Sequence, residues 1–202
     1  MNYFSIFLWN LSAIDQFFTV YNIDSSFSRL RLFVLHGIKL TKLLSIRVDL
    51  VSLADLLSLI IHLDDDCQDL SDVYRLICRF PSLNSNQVLL KPSRRFISLP
   101  MSNNDQFSKI KYLVMNHHCN LDGLIDILSH TPHISKLTCQ YLYQSNRNIS
   151  NEVMRTLINL TYASIDDCRL LWDIFQMFII KIASHMQVLH IGVKSLNRTY
   201  LN

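Results

Sequence analysis

Glycine is scarce in this sequence, since only Gly37, Gly123 and Gly192 occur in 202 residues. Loops that bind phosphate groups through backbone N–H groups need several glycines within a short span. Three isolated glycines form neither a G-x-G-x-x-G fingerprint nor a P-loop. Nucleotide chemistry of these two kinds is therefore excluded, and we expect no cofactor.

Charge is also sparse, at 17% of residues with a net charge of +3. The basic residues are scattered apart from Lys91, Arg94 and Arg95, whereas a DNA-binding surface has a denser basic stripe. No apolar run reaches the roughly 18 residues of a membrane span. The first residues lack the basic region of a signal peptide. We expect a soluble protein of the cytoplasm or nucleus that binds neither nucleic acid nor membrane.

The five cysteines are an odd number and contain no C-x-x-C pair, so we expect them to be reduced and buried. The segment "IKYLVMNHHC" places His117, His118 and Cys119 side by side. A zinc site needs about four ligands at matched spacing, and this cluster has no matching pair elsewhere. We interpret residues 116–120 as the turn that leaves a strand, with Cys168 as the counterpart of Cys119 two strands on, and expect no metal.

Catalysis is a hypothesis that the sequence disfavours. Cys119 or Cys168 could act as a nucleophile beside His117, His118 or His185. Such a pair needs hydrogen-bond reach and a third group that orients the base, and the sequence indicates neither. We therefore predict no catalytic residue and no enzyme activity.

Half of the chain is hydrophobic, and in its second half the apolar residues repeat. Four segments carry apolar residues at positions one, four and six: Ile110, Leu113 and Met115; Ile134, Leu137 and Cys139; Leu157, Leu160 and Tyr162; Met186, Leu189 and Ile191. The residues at position four (113, 137, 160 and 189) are 24, 23 and 29 residues apart. Leucine-rich repeats have periods of about 20–29 residues. The pattern predicts parallel strands near 112–115, 136–139, 160–163 and 188–191, with the four leucines of position four in one buried column.

Helical periodicity separates these strands, at about 121–130 and 171–185. In the first half the pattern is weaker. Leu43, Ile46 and Val48 fit a strand, a helical run follows from Val51 to Leu63, and another helix covers about 72–80. Leu83, Asn86 and Val88 fit a strand only if Asn86 replaces an apolar residue. The predicted fold class is α/β, a leucine-rich-repeat-like solenoid with outer helices.

The second half resembles the divergent leucine-rich-repeat region of F-box proteins, on the units "IKYLVMNHHC", "ISKLTCQYL", "LTYASIDDC" and "MQVLHIGV". The segment "LSAIDQFFTVYNIDSSFSRL", residues 11–30, resembles the later part of an F-box, with "NYFSIFLWNL" as its first helix. The resemblance implies a short helical F-box-like cap at 1–40, before the repeat domain at 41–202. It also implies docking of the adaptor subunit of a cullin ubiquitin ligase through Leu11, Ile14, Phe17 and Phe18.

Two functions follow from this resemblance. The chain is a substrate-recognition subunit of such a ligase, or it is a non-catalytic repeat scaffold in which the F-box remnant only caps the solenoid. In both, a protein target binds the concave face of the sheet. Strand side chains alternate between faces, which assigns to that face Tyr112, Val114, Asn116, Lys136, Thr138, Gln140, Asn159, Thr161, Ala163, Val188, His190 and Gly192. Aromatic residues often anchor interfaces, so Tyr112 is the expected anchor.

Overall fold

The structure is a computed structural model that describes residues 3–21, 23, 27–64, 69–90, 97, 99, 107–144, 159–182 and 185–192. The strands within them are β1 Phe4–Leu8, β2 Leu30–Ile38, β3 Ser58–Leu63, β4 Ser85–Leu89, β5 Tyr112–Asn120, β6 Lys136–Tyr143, β7 Tyr162–Arg169 and β8 Val188–Ile191. The helices are α1 Leu11–Val20, α2 Leu40–Ser45, α3 Arg47–Val51, α4 Ser71–Cys78, α5 Leu121–His130 and α6 Trp172–Ile182. No helix among the described residues is long and apolar enough to cross a membrane.

All eight strands form one sheet in the order β1 to β8, and every neighbouring pair is parallel. Each strand therefore lies beside the strand that precedes it and the strand that follows it in the sequence. Parallel pairing requires a crossover after each strand, and helices lie in several of these crossovers. The predicted α/β class and the predicted parallel pairing in the second half are confirmed.

The one-four-six spacing extends through more of the chain than predicted. Strands β2 to β8 carry it in residues that are buried or pack against the core, except for Leu189 of β8, which is exposed. At position four these residues are Phe33, Leu59, Asn86, Leu113, Leu137, Ala163 and Leu189. They form one continuous register across the sheet, which Ile6 of β1 extends. Asn86 is fully buried at its position, as the expected replacement of an apolar residue requires.

Two members of the predicted buried column are wrong, because Leu189 is 37% exposed and Leu160 is out of register. Ala163, rather than Leu160, lies between Leu137 and Leu189 in the register. Leu160 is buried as well, but it precedes β7 and occupies position one of that unit. The residue assigned to position six, Tyr162, therefore points away from the core. The true steps between position-four residues are 24 to 27 residues (33, 59, 86, 113, 137, 163 and 189).

The predictions for the first 63 residues need three corrections. "NYFSIFLWNL" does not form a helix, because Phe4–Leu8 is strand β1. The strand predicted on Leu43, Ile46 and Val48 is instead helices α2 and α3. The helical run predicted from Val51 to Leu63 is wrong in its second half, because Ser58–Leu63 is strand β3. The predicted segment 1–40 therefore contributes β1 and β2 to the same sheet as the repeats.

The helices of the later units agree better with the sequence. Helix α5 matches the predicted residues 121–130, and α4 begins one residue before the predicted start at 72. Helix α6 lies within the predicted 171–185, of which 183 and 184 fall outside the described residues. In α5 the buried side chains of Leu121, Leu124 and Leu128 recur at helical spacing and face the sheet.

Irregular backbone occurs where two strands bend. In β2 the register with β3 shifts between His36 and Ile38, and Gly37 between them has φ of 71°, a conformation that favours glycine. In β5 the register with β6 shifts between Met115 and His118. Because β5 continues to Asn120, the turn predicted at residues 116–120 is wrong: these residues are in the strand.

Candidate binding face of the sheet

The sheet has one face that the helices cover and one that they leave open. On the covered face, strand residues such as Leu113 and Leu137 join helix residues such as Leu124 in the core. The alternate residues point to the other side, which we call the open face. Among the described residues, its side chains are mostly exposed or half-buried. A sheet with one packed face and one accessible face presents in-register rows of side chains to a partner.

The structure places on the open face most of the residues that the sequence assigned there. Tyr112 is 48% exposed, and Lys136, Val188 and His190 are exposed. Four further predicted residues are half-buried and alternate with buried core residues along β5 and β6: Val114, Asn116, Thr138 and Gln140.

Four predicted positions do not lie on the open face as expected: one in β7, two just before it and one after β8. Ala163 is fully buried in the core column, so its assignment to the open face is wrong. Asn159 and Thr161 lie just before β7, where both hydrogen-bond to backbone carbonyls of the preceding unit, at Pro132 and Ser135. Gly192 lies so close to the carbonyl of Asp166 that a Cβ would clash with it.

Aromatic and cationic side chains form a cluster on β5 to β8, which we call the C-terminal cluster: Tyr112, Lys136, Tyr162 and His190. Tyr112, Lys136 and Tyr162 are consecutive partners in one row. The Lys136 ammonium lies 4.7 Å from the centre of the Tyr162 ring, a cation–π geometry. The rings of Tyr162 and His190 are 5.9 Å apart. The contacts of Tyr162 with Lys136 and His190 restrict these three side chains, which lowers the entropy lost when a partner binds.

A second pair of rings lies near the carboxyl ends of the same strands. His118 stacks on Tyr141 at 4.2 Å between ring centres, because the shift in register at β5 brings the two residues opposite each other. The next partner of Tyr141 is Asp167, which is buried and receives a hydrogen bond of 2.8 Å from the Arg169 guanidinium. This pairing provides a counter-charge for the Asp167 carboxylate beside the half-buried rings of His118 and Tyr141.

A third group lies on the first three strands and was missed at the sequence level. We call Phe7, Trp9, His36 and His62 the N-terminal cluster. Phe7 and Trp9 stack at 6.3 Å, Trp9 lies 5.6 Å from His36, and the rings of His36 and His62 are 4.6 Å apart. The alternation of core residues Ile6 and Leu8 with exposed Phe7 and Trp9 is a strand signal that could have revealed this group.

The pKa of one histidine in this cluster is shifted. Burial lowers the pKa of the His62 imidazole below its ordinary value, and the neighbouring His36 lowers it further. His62 pairs directly with His36 in the β2–β3 register. The lowered pKa favours the neutral form of the His62 imidazole near neutral pH.

The four residues that the F-box resemblance implicates lie on α1 and pack inward. Ile14 is fully buried, and Leu11 is half-buried. Phe17 and Phe18 both lie within about 6 Å of the Phe33 ring, at 5.9 and 6.2 Å. In this structure Ile14 cannot contact a partner, and the two phenylalanines are packed against the core. Docking of an adaptor through these four residues stays a prediction.

The two histidines and the cysteine of the segment "IKYLVMNHHC" are divided between the two faces of the sheet. His117 is buried and donates from Nδ1 to the carbonyl of His118 at 3.0 Å, which leaves Nε2 to accept from the Tyr74 hydroxyl at 2.6 Å. The Cys119 thiol donates to the Asn120 carbonyl at 3.2 Å. Cys119 and Cys168 share one row through Leu142, as their predicted equivalence requires.

These groups have the chemistry of core residues. Burial raises the pKa of the Cys119 thiol well above its ordinary value and that of Cys139 to about 12. Both thiols are therefore protonated near neutral pH, whereas nucleophilic or metal-binding cysteines need the thiolate. Among the described residues, no group of three or more His, Cys, Asp or Glu side chains could hold a metal ion. Cys67 and the basic group Lys91, Arg94 and Arg95 lie outside the described residues.

The chain matches no family model, and neither a curated protein nor a solved structure is significantly similar to it.

Proposed function

We propose that this protein is a non-catalytic, leucine-rich-repeat-like solenoid that binds a protein target through its open face, which would be concave. The strictly sequential order of its parallel strands supports the solenoid, since repeat proteins stack units that contact only their neighbours. The recurrence of core residues at steps within the range of leucine-rich repeats also supports it.

One observation carries the binding function. The C-terminal cluster places Tyr112, Lys136 and Tyr162 in adjacent register positions on the open face, with the His190 ring 5.9 Å from that of Tyr162. Tyrosine is among the residue types that dominate binding energy at interfaces, and a lysine over an aromatic ring adds a fixed positive charge. A protein surface with an apolar side chain beside a carboxylate fits this cluster. The expected compartment is the cytoplasm or the nucleus.

The scaffold function takes precedence over the ligase-subunit function in this proposal. The inward packing of Ile14, Phe17 and Phe18 supports a structural role for α1 as the helix of the first repeat unit. An F-box-type subunit would need this helix to present its apolar residues to the adaptor. Association with a cullin-ligase adaptor is therefore the second candidate function, carried by the F-box resemblance of residues 11–30.

Partner capture tests the binding face. We expect Tyr112→Ala combined with Lys136→Ala to lose a specific partner that the parent protein retains from a cell extract, as quantified by mass spectrometry. The matched control is Trp172→Ala combined with Lys39→Ala, which removes one exposed aromatic and one exposed lysine outside the open face. Circular dichroism and thermal melting must show that all three proteins are folded.

Three outcomes are informative. Loss in the open-face variant alone supports the proposal. Equal capture of every partner by the parent and the open-face variant contradicts it. Capture of the ligase adaptor by all three proteins, confirmed with purified adaptor, would favour the ligase-subunit function instead.

A further inference from the structure

A cavity on the helical side of the molecule lies outside the proposed binding face. It has a volume of about 360 Å³ and lies between α4 and the α2–α3 segment. This volume is within the range of small-ligand pockets. Its lining combines four charged side chains with four apolar ones, so it is neither a purely polar cleft nor part of the core.

Positive charge is in excess in this cavity. Arg47, Arg75 and Arg79 contribute guanidinium groups, and Asp72 is the carboxylate among the lining residues. Asp72 is already engaged by Arg75, with 3.0 Å between Nη1 and Oδ1. Within the described part of the chain, neither Arg47 nor Arg79 forms a salt bridge.

Helix geometry explains why the arginines converge. Arg75 and Arg79 are four residues apart at the end of α4, so they lie on the same side of that helix. There they also complement the partial negative charge of the helix C-terminus. Arg47 begins the facing helix α3 and also lies directly after Ile46, the C-cap of α2, where a cation complements the partial negative charge of that helix end. The ends of α2 and α4 thus bring their arginines to the same cavity.

The apolar part of the lining lies beside these charges. Leu76 is buried and Leu44 and Val51 are half-buried, which gives the cavity a hydrophobic base. Val48 is 73% exposed, although it is an apolar residue on a short helix whose neighbour Leu50 is in the core. A ligand that contacts both the base and Val48 must carry apolar groups as well as negative charge.

We propose that this cavity binds an acidic, partly apolar segment of a partner protein. Aspartate or glutamate side chains of the segment pair with Arg47 and Arg79, since guanidinium groups match carboxylates through two parallel hydrogen bonds. A leucine or phenylalanine of the segment occupies the apolar base. Nucleic acid fits this cavity less well. Its phosphate backbone requires a longer basic stripe and does not bind to the apolar part of the cavity lining. The site is independent of the open face.

Peptide selection with the purified full chain tests this site. A phage-displayed library of random dodecapeptides is selected against the parent and, in parallel, against Arg47→Gln combined with Arg79→Gln. We expect the parent to enrich peptides in which acidic residues flank leucine or phenylalanine, and the double variant to bind synthetic copies of them about tenfold more weakly or worse. Both substitutions are on exposed side chains, so the fold should be retained.

The matched control is Arg29→Gln combined with Lys109→Gln, which removes two exposed positive charges outside the cavity. Retained binding by this control, together with loss in the double variant, supports the site. The proposal is overturned by any of four results: no enrichment, selected peptides without an acidic bias, equal binding to the double variant, or stronger binding of a 20-base-pair DNA duplex than of the peptides through Arg47 and Arg79 at 150 mM salt.

Discussion

Leu137 and Leu189 occupy the same position of their strands and differ in burial. Leu137 is fully buried between Leu113 and Ala163, whereas Leu189 on the edge strand β8 is 37% exposed. We expect Leu137→Ala to lower the free energy of unfolding by about 2–5 kcal/mol, because it leaves a cavity in the core. Leu189→Ala should cost clearly less. Urea denaturation at pH 7 measures both values.

The comparison holds side-chain chemistry constant, so the difference between the two variants reports burial alone. A Leu137→Ala protein that unfolds at the same urea concentration as the parent would show that the column through Leu137 is misassigned. Equal destabilisation by the two substitutions would show that β8 is as well packed as β6.

Individual residues also show where inference from sequence is limited. The column could be predicted at Leu113, Leu137 and Leu189, because large aliphatic residues mark it. It could not be predicted at Ala163, since a small side chain gives a weak periodic signal. Leu160 and Tyr162 have the spacing of positions four and six, but they lie three residues before the residues that occupy those positions in the structure. Asn86 is accommodated at its buried position in the column because its side-chain amide donates a hydrogen bond to the Leu59 carbonyl at 3.2 Å.

At the scale of elements, short helices and short strands share apolar spacings. Leu43 and Ile46 are three residues apart, which suits positions one and four of a strand unit as well as one face of a helix. Burial separates the alternatives, since Leu50 continues the buried helical face while Val48 points to solvent. Helices of five or six residues contain too few turns for the sequence to make this distinction. The longer α5, with nearly three turns, was predictable.

The paired strands β2 and β3 give a pH-dependent prediction through His36 and His62. The pKa of His62 is lowered in the folded protein, so below about pH 6.5 the unfolded chain binds a proton that the folded protein does not. Stability must therefore fall as the pH drops below that value. We expect His62→Gln to lose less stability than the parent between pH 7 and pH 5.5, as measured by urea denaturation at several pH values.

His133→Gln is the matched control, because it removes an exposed histidine outside the open face. It should leave the pH dependence of the parent unchanged. If His62→Gln and the parent lose stability in parallel as the solution is acidified, burial and the neighbouring His36 do not disfavour protonation of His62 in the folded protein.

At the scale of the whole molecule, the parallel pairing and the repeat were predictable from the second half of the chain. The first two strands were not, because residues 1–40 were assigned to a helical cap. In β1 the half-buried Ile6 and Leu8 alternate with exposed aromatic residues, which is a strand signal that the helical assignment overlooked. The residues of the open face followed from strand alternation in β5, β6 and β8. The clusters could not be predicted, because they depend on which rings meet across strands and therefore on the register.

The sequential strand order also predicts how the molecule opens. Because each strand pairs only with its neighbours in sequence, the stability of such a fold is approximately a sum of local contributions, and its ends open before its centre. We expect native-state hydrogen exchange, followed by mass spectrometry, to show the strongest protection in β4, β5 and β6. Protection should be weakest in the edge strand β8, whose residues are mostly exposed.

The two leucine variants make this prediction specific to position. Leu189→Ala should accelerate exchange in β7 and β8 and leave β4 and β5 as protected as in the parent, because its cavity lies at one end of the sheet. Leu137→Ala should accelerate exchange in the strands on both sides of β6, since it removes packing from the centre. A uniform loss of protection over all strands in Leu189→Ala would contradict the expectation, because it would mean that the sheet opens as one cooperative unit.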